Sequence, residues 1–144
     1  IEFFLAKMKE HITAPKLTFI ILRETFAICR LDKDAPIPNW AFQSSLFSVT
    51  RTKDELSIVC PQINVPKGIV CNQGWSCLKV KGPLDLSLTG IISSIAATLE
   101  KEGISLFSIS TYDTDYVMVK EKDLERAIFA LTETGHRIEW EQNE

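Results

Sequence analysis

The sequence predicts an α+β fold. In the C-terminal half, two segments with helical periodicity alternate with four β-rich runs, in the order β-α-β-β-α-β. This order is typical of the split ferredoxin-like unit, in which two helices cover one face of a four-stranded antiparallel sheet. The N-terminal half is rich in strand patterns and poor in helix signals. We therefore expect tandem ferredoxin-like modules, residues 1–70 and 71–144, the first with reduced helices.

Two helices are predicted in the C-terminal module. Within residues 89–102 the apolar side chains fall on one helical stripe, and Gly103 follows as the stop. Within residues 122–134 they recur at i, i+3, i+4 and i+7, and Gly135 follows in the same role. Each helix should bury one face against the sheet. The four predicted strands are residues 75–81, 104–110, 115–119 and 136–140.

The N-terminal module is predicted to consist of two hairpins. The first joins residues 17–23 and 26–31 at the polar pair Glu24-Thr25, and the second joins residues 46–50 and 55–60. The segment between the hairpins contains two prolines, which leave room for little more than one helical turn. Residues 61–74 have the Pro and Gly pattern of a loop or linker.

A weak internal repeat connects the two halves. At a constant offset of sixty residues, 46–59 aligns with 106–119, and the two segments share an initial Leu-Phe-Ser. The carboxylates Glu55 and Asp115 also coincide. The repeat predicts two related modules, and the alternative is the β-rich composition that any two strand-turn-strand segments share.

Composition and charge exclude several classes of partner. The chain has 144 residues, 45% of them hydrophobic, and a net charge of −3, which argues against a nucleic-acid partner. No run approaches the roughly 18 apolar residues of a membrane span, and the first residues do not resemble a signal peptide. We expect a cytoplasmic protein with neither a nucleic-acid nor a membrane partner.

The residues needed for catalysis or metal binding are not in the required patterns. The four cysteines form no C-x-x-C pair, so reduced thiols that pack as small apolar side chains are expected. The two histidines, His11 and His136, lie in contexts that do not suggest a nucleophile-base pair. Phosphate-binding glycine loops and the G-x-S-x-G elbow are absent from the sequence. We expect no catalytic residue, no metal site, no cofactor and no enzyme activity.

One loop and one turn could bind a small ligand. Residues 81–90 precede a helix whose free N–H groups would favour a carboxylate, and Gly90 would let the backbone approach closely. Asp115, at the end of the turn, could pair with an ammonium or guanidinium group. Simple turn and capping roles explain the same residues equally well. Together the two features would suit a zwitterionic amino acid.

The element order, the segment GPLDLSLTGIISSIAATLEKEGIS and the segment SISTYDTDYVMVKEKDLERAIFAL resemble an ACT domain, the regulatory module that senses amino acids. The similarity is greatest to the branch that contains the cytosolic arginine sensors of animals and their two-module relatives. In that branch S-T-[YF]-x-x-D-[YFH] is the hallmark, matched here by residues 110–116, and TRTKDELSIVCP (50–61) is typical of the first module.

The resemblance implies an amino acid bound at the junction of two ACT modules. In the arginine sensors, the position of Asp115 faces the cationic side chain of the ligand. Two positions depart from that pattern: Thr114 replaces an aromatic residue and Leu88 an acidic one. The implied ligand-binding residues are Asp85, Leu86, Leu88 and Gly90 in the loop, Thr111, Tyr112, Thr114 and Asp115 in the turn, and, from the repeat alone, Phe47, Ser48 and Val49.

These observations predict a non-catalytic regulatory protein that senses a free amino acid. The alternative is a protein-interaction or homodimerisation module of the same fold without a functional ligand pocket. Both leave room for a homodimer or a protein partner.

Overall fold

Seven strands form one sheet in the computed structural model, which describes residues 1–3, 15–84 and 90–142. The strand order is β2-β3-β1-β4-β6-β5, and β7 pairs with β1. The strands are β1 (Thr18–Leu31), β2 (Ser48–Arg51), β3 (Leu56–Pro61), β4 (Val70–Val80), β5 (Leu106–Ser110), β6 (Asp115–Lys120) and β7 (Arg137–Trp140). The helices are α1 (Ile91–Lys101) and α2 (Leu124–Glu133), with 3-10 turns at Asn39–Phe42, Gln62–Asn64 and Glu121–Asp123.

The C-terminal half confirms the predicted α+β class and element order. Both helices end where a glycine adopts positive φ, +69° at Gly103 and +94° at Gly135. After each glycine the chain hydrogen-bonds back to the last turn, from Ile104 N to Leu99 O at 3.0 Å and from His136 N to Leu131 O at 3.1 Å. The strands that follow the helices therefore start in fixed positions.

The sheet of the C-terminal half contains one more strand than the predicted four. The first residues of β1, Thr18–Ile21, lie between β7, to which they run parallel, and β4, to which they run antiparallel. Phe19 and Ile21 are fully buried in the core beneath α1 and α2, with Ile95 and Leu99. This burial in the helix-covered core accounts for the inserted strand.

The predicted hairpin at Glu24-Thr25 is wrong, because β1 continues through both residues. The bend expected there is a register shift against β4 between Ile21 and Thr25, which the strand absorbs without reversing. The loop predicted over 61–74 is also wrong from Val70 onward, where β4 begins.

The strands β1 and β4 each serve both halves of the sheet. β1 pairs with β7 through Thr18–Ile21 and with β3 from Phe26 to Leu31, while β4 remains beside it along much of its length. A division of the chain near residue 70 stays a prediction. Within the described part of the chain, no helix is long and apolar enough to span a membrane.

The second predicted hairpin is confirmed as β2 and β3. Arg51 pairs with Leu56 there, as Ser110 pairs with Asp115 in the hairpin of β5 and β6. The hairpins are therefore equivalent at an offset of 59 residues (110 − 51 and 115 − 56), and the sequence alignment at sixty is wrong by one. Glu55 corresponds to Thr114 in the structure.

Candidate functional site

The turn between β5 and β6, Thr111–Thr114, is here called the signature turn. Thr111 N donates to Thr114 O at 2.8 Å, and Thr114 N donates to Thr111 Oγ1 at 3.2 Å. The buried Thr114 hydroxyl donates to Val80 O at 2.5 Å. A threonine at each end of the turn thus closes it and ties it to the end of β4.

The loop that follows β4 lies against the signature turn. Leu84 N donates to Asp113 O at 2.7 Å, and the peptide bond between Gly82 and Pro83 is cis. A Cβ atom on Gly82 would lie 3.1 Å from Asp113 O and 3.2 Å from the Cβ of Thr114. Glycine at position 82 therefore permits the close approach of loop and turn.

A cavity of about 320 Å³ lies at this contact. Its lining residues are Lys79, Gly82, Pro83, Thr111, Asp113, Thr114 and Tyr116. Lys79 and Tyr116 are paired across β4 and β6, and the Lys79 ammonium lies 5.9 Å from the centre of the Tyr116 ring. Lys79 forms no ion pair with the described residues. The cavity is therefore lined by one basic residue without an ion pair, Lys79, by the acidic residue Asp113 and by the two threonines that close the turn.

Lys79 also lines a larger cavity of about 760 Å³. There it faces Ile20 and Leu22 of β1 and the chain around Glu139 and Glu141. Glu139 forms an ion pair of 3.7 Å with Lys81. Lys79 is thus the side chain common to the two cavities, with carboxylates on either side of it.

Asp115 and Gly90 belong to the other face of the sheet. Side chains alternate along a strand, so Asp115 shares its face with Val117 and Val119, which are buried in the core with α1. Its Oδ1 accepts a hydrogen bond of 2.6 Å from the Ser110 hydroxyl. Gly90 is the residue before α1 and has φ of +80°. Asp115 is therefore near the signature turn but outside the cavity lining.

The remaining predicted residues are distributed more widely. Tyr112 lies at the tip of the signature turn and is 83% exposed. Asp85, Leu86 and Leu88 lie outside the described residues.

The three residues predicted from the repeat are on β2 or next to it. Phe47 contacts Phe42 edge-on, with ring centres 5.5 Å apart, while Ser48 and Val49 pair with β3. The strands β3, β1 and β4 separate β2 from β6, which corresponds to roughly 19 Å at the usual spacing of strands. A single chain therefore does not bring Phe47, Ser48 and Val49 to the signature turn.

Lys79, Gly82, Pro83, Asp113 and Tyr116 were not among the predicted ligand-binding residues. Alternation of apolar and polar residues in 75–81 could have placed Lys79 on the face away from the helices. Its position beside Tyr116 and the signature turn depends on strand pairing across some forty residues, which has no local signal.

His136 has a structural role. Its Nδ1 accepts a hydrogen bond of 2.9 Å from Leu17 N, and its ring meets Phe19 edge-on at 5.5 Å. Burial lowers the pKa of His136, and the charge of Lys16 lowers that pKa further. The neutral imidazole therefore ties the start of β1 to β7. Within residues 1–3, 15–84 and 90–142, no group of three His, Cys, Asp or Glu side chains is placed to hold a metal ion.

Two family models match separate parts of the chain. Residues 70–133 match a model described as an ACT domain. Residues 24–68 match a model described as an N-terminal domain. A match of 29% identity over 91 residues with the human protein CASTOR3P covers 54% of this chain and 56% of that protein. The chain therefore spans about half the length of this curated relative.

Two solved structures show the extent of the similarity. Protein Atu0741 from Agrobacterium tumefaciens is 38% identical, with a TM-score of 0.85, over 91% of this chain and 98% of that one. The ligand-free regulatory subunit of aspartate kinase from Thermus thermophilus is 10% identical, with a TM-score of 0.51, over 85% and 96% of the two chains. The first is a relative along nearly its whole length, and the second shares the fold.

Proposed function

The C-terminal half of this chain belongs to the ACT domain family, and from that premise we propose that the protein is a non-catalytic regulatory protein that binds a free amino acid. The cavity between the signature turn and Gly82-Pro83 carries this proposal, because Lys79 and Asp113, residues of opposite charge, line the same volume of about 320 Å³. Ligand sites commonly occupy cavities of roughly this size, with a few polar groups that fix the orientation of the ligand.

The charges around the cavity suit a zwitterion. The Lys79 ammonium is the group available to a ligand carboxylate, because it has no ion pair in the described part of the chain. The carboxylate of Asp113 is available to a ligand ammonium at the signature turn. Opposite charges at fixed separation would select a small molecule that carries both signs.

The resemblance to the arginine-sensor branch supports an amino acid as the ligand without fixing which one. Thr114 is buried and hydrogen-bonded to Val80 O, so it provides no aromatic surface for a guanidinium group. Lys79, moreover, would repel a second cation in the cavity. We therefore expect a neutral or acidic amino acid to bind more tightly than arginine.

A site that also uses Phe47, Ser48 and Val49 would require a second copy of the chain. Within one chain these residues lie at the sheet edge opposite to β5. A homodimer would bring β2 of one copy near the signature turn of another. Ligand binding would then shift the equilibrium between arrangements of the two copies, by no more than the difference in its affinity for them.

A thermal-shift screen with the twenty amino acids tests the proposal. A ligand present at a hundred times its Kd adds about 2.7 kcal/mol to the free energy of unfolding, so one or two amino acids should raise Tm clearly. No shift with any amino acid at millimolar concentration would contradict the proposal. The protein-interaction module without a ligand pocket would then be the better account.

Two variants and one control locate the site. Lys79→Met and Asp113→Asn should each reduce the ligand-induced rise in Tm while the ligand-free Tm stays close to that of the parent. Lys53→Met makes the same change of charge in the exposed turn between β2 and β3, and should leave the rise intact. Equal loss of binding in Lys53→Met and Lys79→Met would contradict the assignment of the site.

A further inference from the structure

Three of the four cysteines meet in the N-terminal half of the sheet. Cys29 of β1 is paired directly with Cys71 of β4. On the other side of β1, Cys60 of β3 is paired with Ala27, one diagonal step from Cys29. All three side chains pack in the core that contains Leu56. Three thiols from three strands therefore lie on one face of the sheet.

The thiols of Cys29 and Cys60 influence each other's ionisation. The thiol of Cys29 interacts with Cys60 and also with Cys71. The hydrogen bond with Cys60, reinforced by burial, raises the pKa of Cys29, and the same hydrogen bond lowers the pKa of Cys60. The side-chain amide of Gln73 donates to Cys71 Sγ at 3.4 Å. The thiolate is the reactive form of cysteine.

Strand geometry selects the pair that a disulfide can join. Residues directly opposite in an antiparallel pair have Cα atoms about 4.5–5.5 Å apart, inside the range of about 4.4–6.8 Å that a disulfide requires. Diagonal neighbours are about 7–8 Å apart, outside that range. Cys29 and Cys71 are directly opposite, whereas Cys29 and Cys60 are diagonal. A disulfide can therefore form between Cys29 and Cys71 without moving the backbone.

Access to solvent sets the order of reaction. Cys71 is half-buried, whereas Cys29 is 1% exposed. β6 pairs with β4 only from Trp75 to Lys79, so in the described chain the end of β4 that carries Cys71 has one open edge. A small oxidant in solution therefore meets Cys71 before it can reach Cys29.

We propose that Cys71 and Cys29 form a reversible, peroxide-responsive disulfide site between β4 and β1. The Cys71 thiolate attacks one oxygen of a hydroperoxide, the O–O bond breaks, and Cys71 becomes a sulfenic acid while hydroxide or alkoxide leaves. The Cys29 sulfur then attacks Cys71 Sγ, and its proton leaves with the sulfenic hydroxyl as water. Two thiols are oxidised by two electrons, one hydroperoxide is reduced, and a dithiol reductant reverses the reaction.

Cys77 provides a matched internal control. It lies on the opposite face of the sheet with Trp75 and Met118, and it is fully buried. Burial raises the pKa of Cys77 to about 12. Cys77 should therefore neither react with peroxide nor exchange with the other three thiols.

Thiol counting and peptide mapping of the native chain test the site. After treatment with a slight excess of hydrogen peroxide, the number of thiols alkylated in denaturant should fall from four to two. Mapping without reductant should recover a peptide pair joined through Cys29 and Cys71. Four remaining thiols, or a disulfide that contains Cys60 or Cys77, would overturn the proposal.

Variants test the order of the two steps. Cys29→Ala should stop the reaction at the Cys71 sulfenic acid, which dimedone traps, and Cys71→Ser should prevent loss of any thiol. Cys77→Ala should behave as the parent and still lose two thiols. A disulfide that persists in Cys71→Ser would contradict the mechanism, and mapping of the native chain decides the pairing even where Cys29→Ala fails to fold.

Discussion

The two hairpins of this chain have the same turn but different surroundings. Thr52 N donates to Glu55 O at 2.8 Å, as Thr111 N donates to Thr114 O at 2.8 Å. Each first threonine also receives a backbone N–H on its hydroxyl oxygen. The hydrogen bonds that close a turn are therefore common to both, and they do not by themselves make a ligand site.

The difference comes from a neighbouring loop. Residues 82–84 lie against one side of the signature turn, where Leu84 N donates to Asp113 O, and the first two of them line a cavity together with Lys79. The first three residues of both turns are exposed, but Thr114 is buried whereas the equivalent Glu55 is half-buried. A local sequence pattern thus makes the turn, whereas a tertiary contact forms the cavity beside it.

The largest expected effect concerns the cooperativity of the two halves. Leu99 of α1 is fully buried in the core between the helices and the sheet, and Leu56 is fully buried in the core of the N-terminal half. Leu99→Ala and Leu56→Ala should each lower the free energy of unfolding by about 2–5 kcal/mol. Because β1 and β4 run through both halves, we expect one transition in urea for either variant, by fluorescence and by circular dichroism. Two separated transitions would show that the halves unfold independently.

A smaller effect distinguishes the two turns. Thr114→Val leaves Val80 O buried without its hydroxyl donor, and should cost about 1–3 kcal/mol. The equivalent position in the other turn is Glu55, and Glu55→Ala should change the free energy of unfolding by at most about 0.5 kcal/mol. Urea unfolding of both variants measures the difference. Similar losses at the two positions would remove the structural distinction between the turns.

The sequence predicted those features that depend on neighbours along the chain. Gly103 and Gly135 mark the helix ends because positive φ is a local requirement. The prediction of a hairpin turn at Glu24-Thr25 was wrong because a bulge and a turn have similar local sequences. Only the pairing of β1 with β4 decides between the two.

The candidate site could be predicted only in part. Thr111 and Thr114 were found because the turn has a motif, whereas Lys79 required the pairing of β4 with β6. The repeat alignment at an offset of sixty residues supplied Phe47, Ser48 and Val49. The strand pairing gives an offset of 59 instead, so that alignment is displaced by one residue. Pairing register has few sequence determinants where both strands have similar β-rich composition.

The smallest expected effect is a dependence of stability on pH that originates in the C-terminal half. His136 is buried and neutral, and its pKa lies below the value of about 6.5 that it has in the unfolded chain. The unfolded chain therefore binds a proton at His136 more readily than the folded chain does. The contribution of the neutral His136 to the free energy of unfolding is complete above about pH 6.5. It is lost as the pH falls toward the lower pKa of the folded state.

Thermal unfolding between pH 7.5 and 5.5 measures this contribution. Tm of the parent should decrease across the range, while Tm of His136→Asn should start lower and change less, because it lacks the titrating group. A parallel decrease in both proteins would assign the pH dependence to other residues. Since His136 Nδ1 holds Leu17 N, the same loss should appear as faster hydrogen exchange at the start of β1, with exchange in the hairpin of β2 and β3 unaffected.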